Sequence, residues 1–319
     1  IFSRLSGPEK RLLGAIAVFR EPMPLEAISD IDAETDLLDG LVEKGLARQA
    51  DSENYDVHDL VREFLTRSMD ESLRQELHSN AKLWYRTRHG IAAERIEYIH
   101  HLNESGDTEG LAEVLSTEGH SLVRAGHTEL LGILRPLEGQ SFDPQSWCII
   151  RELRGDILSI QGRWDEAEAE YEAAIPLARK HKMPQELARL LSARADIAVK
   201  RGAMDDALEM HRKSLEIQVS LRDAVGAARS YNNMGYIYRR RKDNRRALEV
   251  YGNVEELLEQ EDNPELCDAR IRLASAFLEM GEMDRARDHA MTAFEETEGQ
   301  MDIVHARARA VIGRYYAKA

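Results

Sequence analysis

Apolar residues recur at three- and four-residue spacing through most of the chain, which predicts helices nearly throughout. From Pro8 to Arg20 the residues Leu12, Leu13, Ile16, Ala17 and Phe19 share one side, with Ser6, Pro8 and Glu9 suited to the helix start. A short helix is expected at Leu25–Ser29, and a third at Ala33–Lys44, with Leu37, Leu38, Leu41 and Val42 inward and Gly45 as its stop. The period then changes. Ala47–Ala50 and Tyr55–His58 flank the polar turn Asp51-Ser52-Glu53-Asn54, a small hairpin. Residues 59–88 read as helical, and Ile91–Leu137 as short helical segments around Gly106, Gly119, Gly126 and Gly139.

Beyond this point the pattern repeats. Gly155, Ala195, Gly235, Ala274 and Gly313 are separated by 40, 40, 39 and 39 residues. Twelve positions after the first four of them stand Ala167, Ala207, Ala247 and Ala286, a second series of small residues in the same register. Leu158, Ala198, Tyr238, Phe277 and Tyr316 supply mostly bulky apolar residues three positions after the first series, and Tyr171 and Tyr251 fill bulky sites on the second helices. Between paired helices lie Gly162-Arg-Trp-Asp, Gly202-Ala-Met-Asp, Lys242-Asp-Asn-Arg and Gly281-Glu-Met-Asp, where a glycine can end one helix and an aspartate can cap the next. The pattern resembles the tetratricopeptide repeat (TPR), with units Cys148–Lys180, Ala188–Ser220, Ala228–Gln260 and Cys267–Gly299 and the first helix of a fifth from Ala306. Arg151 and His211 stand where the repeat usually has large apolar residues. The fold class expected is mainly α: a winged-helix domain over residues 1–69, a helical spacer over 70–146, and a right-handed TPR-type α-solenoid over 147–319.

Charge decides what the winged helix can bind. DNA-binding winged helices lay a basic third helix in the major groove, whereas this one carries Glu34, Asp36, Asp39 and Glu43 against Lys44. Residues 1–68 hold 8 basic and 14 acidic side chains, so nucleic acid is not the expected partner. Leu5-Ser6, Glu9-Lys-Arg-Leu-Leu13, Leu38–Leu46 and Val57-His-Asp-Leu-Val-Arg-Glu-Phe64 resemble the winged-helix segment of signal-transducing ATPases with numerous domains (STAND), including the NB-ARC group. Leu102–Leu115 is similar to the helical spacer of that class. The resemblance implies a nucleotide-binding domain preceding this chain, ATP or ADP as cofactor of the intact protein, and a His58 that contacts an ADP phosphate in the closed state. A histidine at a strand-to-helix junction can equally just fix the turn. No Gly-x-x-x-x-Gly-Lys-Ser/Thr stretch is present, so these 319 residues are expected to hold no cofactor and to be no enzyme themselves.

Composition narrows the remaining classes. The longest apolar run, Leu12–Phe19, is far short of a membrane span. Two cysteines, Cys148 and Cys267, form neither a disulfide framework nor a metal motif, which fits a reducing cytoplasm. A first residue of Ile with no leader after it points to a piece of a longer protein. Among 11 histidines, His100 and His101 are adjacent and diverge on a helix, and no His-Glu-x-x-His occurs, so no metal is expected.

Against a net charge of -15, Gly226–Arg246 concentrates seven basic residues and one acid. In the TPR arrangement the first helix of each unit lines a groove, which places Arg229, Asn232, Asn233, Tyr236, Arg239 and Arg240 there, with Arg189, Asp196 and Lys200 on one side and Arg272, Arg307 and Arg314 on the other. Asparagine amides suit a peptide backbone and guanidinium groups suit carboxylates, so a peptide or protein ligand with acidic side chains is expected. The competing reading is a solvated turn. The function expected is the sensor and regulatory arm of a STAND-type switch; a winged-helix transcription regulator with a TPR effector arm, or a passive TPR scaffold, are the alternatives.

Overall fold

Ser6 begins the first helix, α1 (Gly7–Ala17), through a reciprocal cap: its hydroxyl accepts from the Glu9 amide, and the Glu9 carboxylate accepts from the Ser6 amide at 2.7 Å. The computed structural model describes residues 4–28, 35–88, 91–258, 264–297 and 303–318. It divides into two compact units, Ile1–Ser146 and Trp147–Ala319.

In the first unit α1 is followed by β1 (Met23–Pro24), a 3-10 turn (Leu25–Ile28), α2 (Thr35–Glu43), β2 (Ala47–Gln49) and β3 (Asn54–Val57). The strands form an antiparallel sheet in the order β1-β3-β2, with Ala47 opposite Val57 and Met23 opposite Tyr55. This is the winged-helix layout. The hairpin falls where alternation placed it, whereas β1 was not foreseen, being two residues long and carrying a proline that only an edge strand accepts. Of the expected helices, Ser29, Ala33 and Glu34 lie outside the described residues. Leu12, Leu13, Ile16, Leu38, Leu41 and Val57 are fully buried in one core. Asp56, buried beside them, pairs with Arg48 (2.6 Å) and Arg62, and Arg62 also donates to the Ala17 carbonyl at 2.9 Å, tying the wing to α1.

Residues 59–88 are two helices, α3 (Asp59–Ser68) and α4 (Glu71–Arg86), because the Asp70 carboxylate accepts from the Leu73 amide and starts the second. After them come α5 (Ala92–Glu104), α6 (Thr108–Arg124) and α7 (Leu130–Leu134). Gly106 and Gly126 end α5 and α6 with φ of 75° and 96°, as glycine permits. Gly119 is instead buried within α6; a small residue there serves packing rather than a break.

The second unit pairs helices. α8 (Pro144–Ile160) packs with α9 (Trp164–Lys180), α10 (Pro184–Arg201) with α11 (Met204–Ser220), α12 (Ala224–Arg240) with α13 (Asn244–Leu258), and α14 (Pro264–Met280) with α15 (Met283–Glu296), followed by α16 (Ile303–Lys318). Gln260 and Gly299, the expected ends of two units, are outside the described residues. Gly155 and Gly235 are holes for neighbouring rings: a Cβ on them would lie 2.4 Å from Tyr171 and 2.3 Å from Tyr251. The loop aspartates depart from expectation. Asp165, Asp205 and Asp284 lie inside the first turn of α9, α11 and α15 rather than at the cap, where they face the positive helix end; only Asp243 caps, accepting from the Arg246 amide at 3.2 Å.

Candidate functional site

The first helices of successive repeats run side by side and exchange polar contacts. Arg189 on α10 reaches Glu152 on α8 (3.1 Å), and Lys200 donates to the Ser159 hydroxyl (2.6 Å). Asn233 on α12 donates to Asp196 on α10 at 3.4 Å. Arg229 and Arg239 on α12 pair with Glu265 (3.0 Å) and Glu279 (3.3 Å) on α14, while Arg307 and Arg314 on α16 reach Asp268 and Ser275 (3.0 Å). A continuous polar face therefore crosses the unit, with neighbouring repeats supplying one another's counter-charges.

This changes the meaning of the basic run. Arg229, Arg239 and Arg241 are matched by Glu265, Glu279 and Asp205 of neighbouring repeats, which halves the +6 read from a short window, and Arg246 pairs with Asp243 inside that window. Lys242 and Arg245 are exposed in and after the turn. Arg240 donates to the Tyr236 hydroxyl at 3.1 Å, and the Arg240 and Arg272 guanidinium carbons lie 5.9 and 5.7 Å from the Tyr236 ring centre, a cation–π cluster. Arg272 is additionally held by Asp268.

Asn232 is not a groove residue in the sense expected. It is 2% exposed, and its Nδ2 donates to the Glu265 carbonyl (3.0 Å) and carboxylate (3.3 Å), so it fastens α12 to α14. Asn233, half-buried, stays on the polar face. The acids Glu152, Asp156, Glu265, Asp268 and Glu279 belong to the face although the sequence reading named none of them. Their signal is positional, since Glu152 and Asp156 occupy the same places in the first unit as Asn232 and Tyr236 in the third.

Asp196 lies on this face, where it accepts from Asn233. Its side chain is 54% exposed to solvent, and partial loss of hydration to the surrounding protein, with Asp156 adding to it against Lys200, pushes its carboxyl up to about 6. Beneath it His211 is fully buried, with Nε2 3.6 Å from the Asp196 carboxylate and neither ring nitrogen hydrogen-bonded. Burial holds His211 down to about 4, hence neutral near pH 7.

In the first unit, His58 sits between β3 and α3 as expected. The ring of His58 is itself the cap, with Nδ1 accepting from the Leu60 amide at 3.4 Å, and Asp59 is the first helical residue. The side chain is exposed. Separately, His78 on α4 meets both His100 and His101 on α5: their ligand atoms all lie within 4.8 Å of one another. Reading the adjacent pair on one helix missed this, because the third histidine comes from another helix.

The comparisons accord with this geometry. Residues 148–220 and 186–260 match the tetratricopeptide repeat model, and the second unit is a TPR-repeat domain. Among curated proteins none matches the chain in sequence. In fold the chain is similar to a STAND protein with a tetratricopeptide repeat sensor from Pyrococcus horikoshii, at 16% identity and a TM-score of 0.52 over 98% of this chain. The chain spans about half of that protein's length, 53%. It is also similar to the apo form of RapI (14% identity, TM-score 0.53, 88% of this chain and 75% of that one). A Rap protein complexed with competence and sporulation factor is a third likeness (11%, TM-score 0.51, 97% and 88%). At such identities these likenesses describe the fold. No helix among the described residues is long and apolar enough to cross a membrane.

Proposed function

We propose that this chain is the regulatory arm of a STAND-type signalling ATPase. The repeat unit recognises a peptide or protein segment, and the winged helix acts on a nucleotide-binding domain of the same protein. The observation that carries the reading is the polar face shared by α8, α10, α12, α14 and α16, in which charges are balanced between repeats while Asn233, Tyr236 and Arg240 remain on the surface. Such a face suits an extended segment whose backbone meets the amide and whose acidic side chains exchange with internal carboxylates. A protein of similar fold is complexed with competence and sporulation factor, which supports ligand recognition by this architecture. The exposed ring of His58 leaves Nε2 available for a phosphate on the missing domain.

An array of random peptides probed with the purified chain tests recognition. Enrichment of Asp- and Glu-bearing peptides is expected, with Arg240→Glu weakening them at least about tenfold, given charge-assisted bonds of ~1.5–3 kcal/mol, and Asn233→Ala about fivefold, given ~1 kcal/mol for a neutral amide bond. Peptides that bind both variants as tightly as the wild type would remove the face from the reading. For the nucleotide branch, His58→Ala in the intact protein is expected to shorten ADP retention; unchanged retention leaves His58 as a helix cap alone.

A further inference from the structure

The first unit contains three imidazoles where an apolar core would serve packing better. His78 is 4% exposed and His101 is 0% exposed, and their Nδ1 atoms approach to 2.8 Å. His100 completes the group from the half-buried side, its ring centre 5.5 Å from that of His78 and 5.2 Å from that of His101. The Nε2 of His101 is buried with no hydrogen-bond partner. An orphaned buried nitrogen costs on the order of 1–3 kcal/mol, so packing alone accounts poorly for His101 at the centre of the group.

We propose that His78, His100 and His101 form a binding site for a borderline divalent transition-metal ion of the zinc class, which fastens α4 to α5. Three nitrogens within 4.8 Å of one another are near what tetrahedral coordination asks. Metal–nitrogen bonds of about 2.0–2.1 Å put the ligand atoms about 3.4 Å apart, so the wider separations close and the 2.8 Å approach of the His78 and His101 Nδ1 atoms opens as the rings rotate. Imidazole ligands without carboxylates select zinc, cobalt, nickel or copper over magnesium and calcium, which require oxygen. Imidazole coordinates through an unprotonated ring nitrogen, and the buried, unpartnered Nε2 of His101 shows a nitrogen that no protein donor or acceptor occupies. Phe19 lies edge-on to His101 at 5.3 Å, and Tyr85 stacks on it at 5.4 Å, so aromatic walls close the inner side. Arg20, Arg74 and Glu71 are the charged groups that act on the cluster. With three protein ligands the fourth position falls to water, admitted on the side of His100.

Cobalt(II) is the probe, because tetrahedral and octahedral ions differ in visible absorption. The metal-stripped full chain should take up one cobalt per molecule with intense tetrahedral bands, and zinc should displace it while magnesium and calcium do not. His100→Ala, chosen because this ring is the least buried of the three, should weaken cobalt binding beyond the 10–100-fold seen when only a supporting hydrogen bond to a metal ligand is lost. His181→Ala, an exposed histidine of the other unit, should leave affinity unchanged. Zinc should raise the melting temperature of the wild type and not of His100→Ala. Absence of tetrahedral cobalt absorption in the wild-type chain overturns the proposal whatever the variants do, as does equal affinity in a folded His100→Ala.

Discussion

Replacing Gly235 with alanine is expected to destabilise the chain, although in an ordinary helix interior the same change stabilises by about 1 kcal/mol. Gly235 lies within α12, and its absent side chain leaves the space that the fully buried ring of Tyr251 occupies. An added Cβ would stand 2.3, 2.6 and 2.8 Å from three ring carbons, where unstrained carbons sit about 3.5–4.0 Å apart. The ring must retreat by more than 1 Å into neighbours that leave it no accessible surface. Overpacking of this kind costs roughly 1–3 kcal/mol, and the distances place it at the upper end. After the gain in helix propensity the net loss is about 1–2 kcal/mol. Gly252→Ala is the internal control: it lies in α13, has nothing within 4 Å of its would-be Cβ, and should stabilise by roughly 0.5–1 kcal/mol. Urea titration followed by far-ultraviolet circular dichroism compares the two on the same chain. A Gly235→Ala chain at least as stable as wild type, beside a Gly252→Ala chain stabilised as stated, would show that the glycine and tyrosine of this repeat do not interlock.

Asn232→Ala should lower stability by ~1–2 kcal/mol through loss of the buried bond to the Glu265 carbonyl, whereas Asn233→Ala should leave it unchanged; denaturant midpoints of the two variants decide this. For His211 the folded value lies below the usual 6.5, at about 4. Between these values the unfolded chain binds a proton that the native chain does not, so this group's contribution to stability is full above pH 6.5 and falls by ~3 kcal/mol on acidification to about pH 4. Asp196, 3.6 Å away, itself gains a proton near pH 6 and offers little counter-charge over that range. His211→Gln should therefore flatten the loss of stability below pH 6.5 relative to wild type, and parallel pH profiles would contradict the burial argument.

Where interactions were local or repeated, the residues alone were informative. The Ser6 cap, the hairpin around Asp51–Asn54 and the paired helices from α8 onward depend on neighbours a few positions apart or on a period that recurs, and each was legible. The candidate site was only half so. Tyr236 and Arg240, four residues apart on one helix, do interact, but the partners of Arg229, Arg239 and Arg241 lie 36 to 40 positions away in sequence and were invisible to a count over one window.

The residue pattern alone shows that helices pair with a period near 40 residues, because small and bulky residues must alternate in register for successive helices to pack. It also shows that the third helix of the winged-helix unit is acidic, since charge is a property of composition. Which charges remain unmatched follows from how the helices pack. Electrostatic and hydrogen-bond partners are set by proximity in space, and one repeat length brings Arg229 to Glu265 and Arg239 to Glu279 as surely as adjacency would. The same reason governs Asn232 and the histidines. Whether an amide faces solvent or a neighbouring carbonyl, and whether His78 meets His100 and His101, depends on how one helix is rotated against the next, which side-chain packing along the whole contact fixes rather than any residue of the pair.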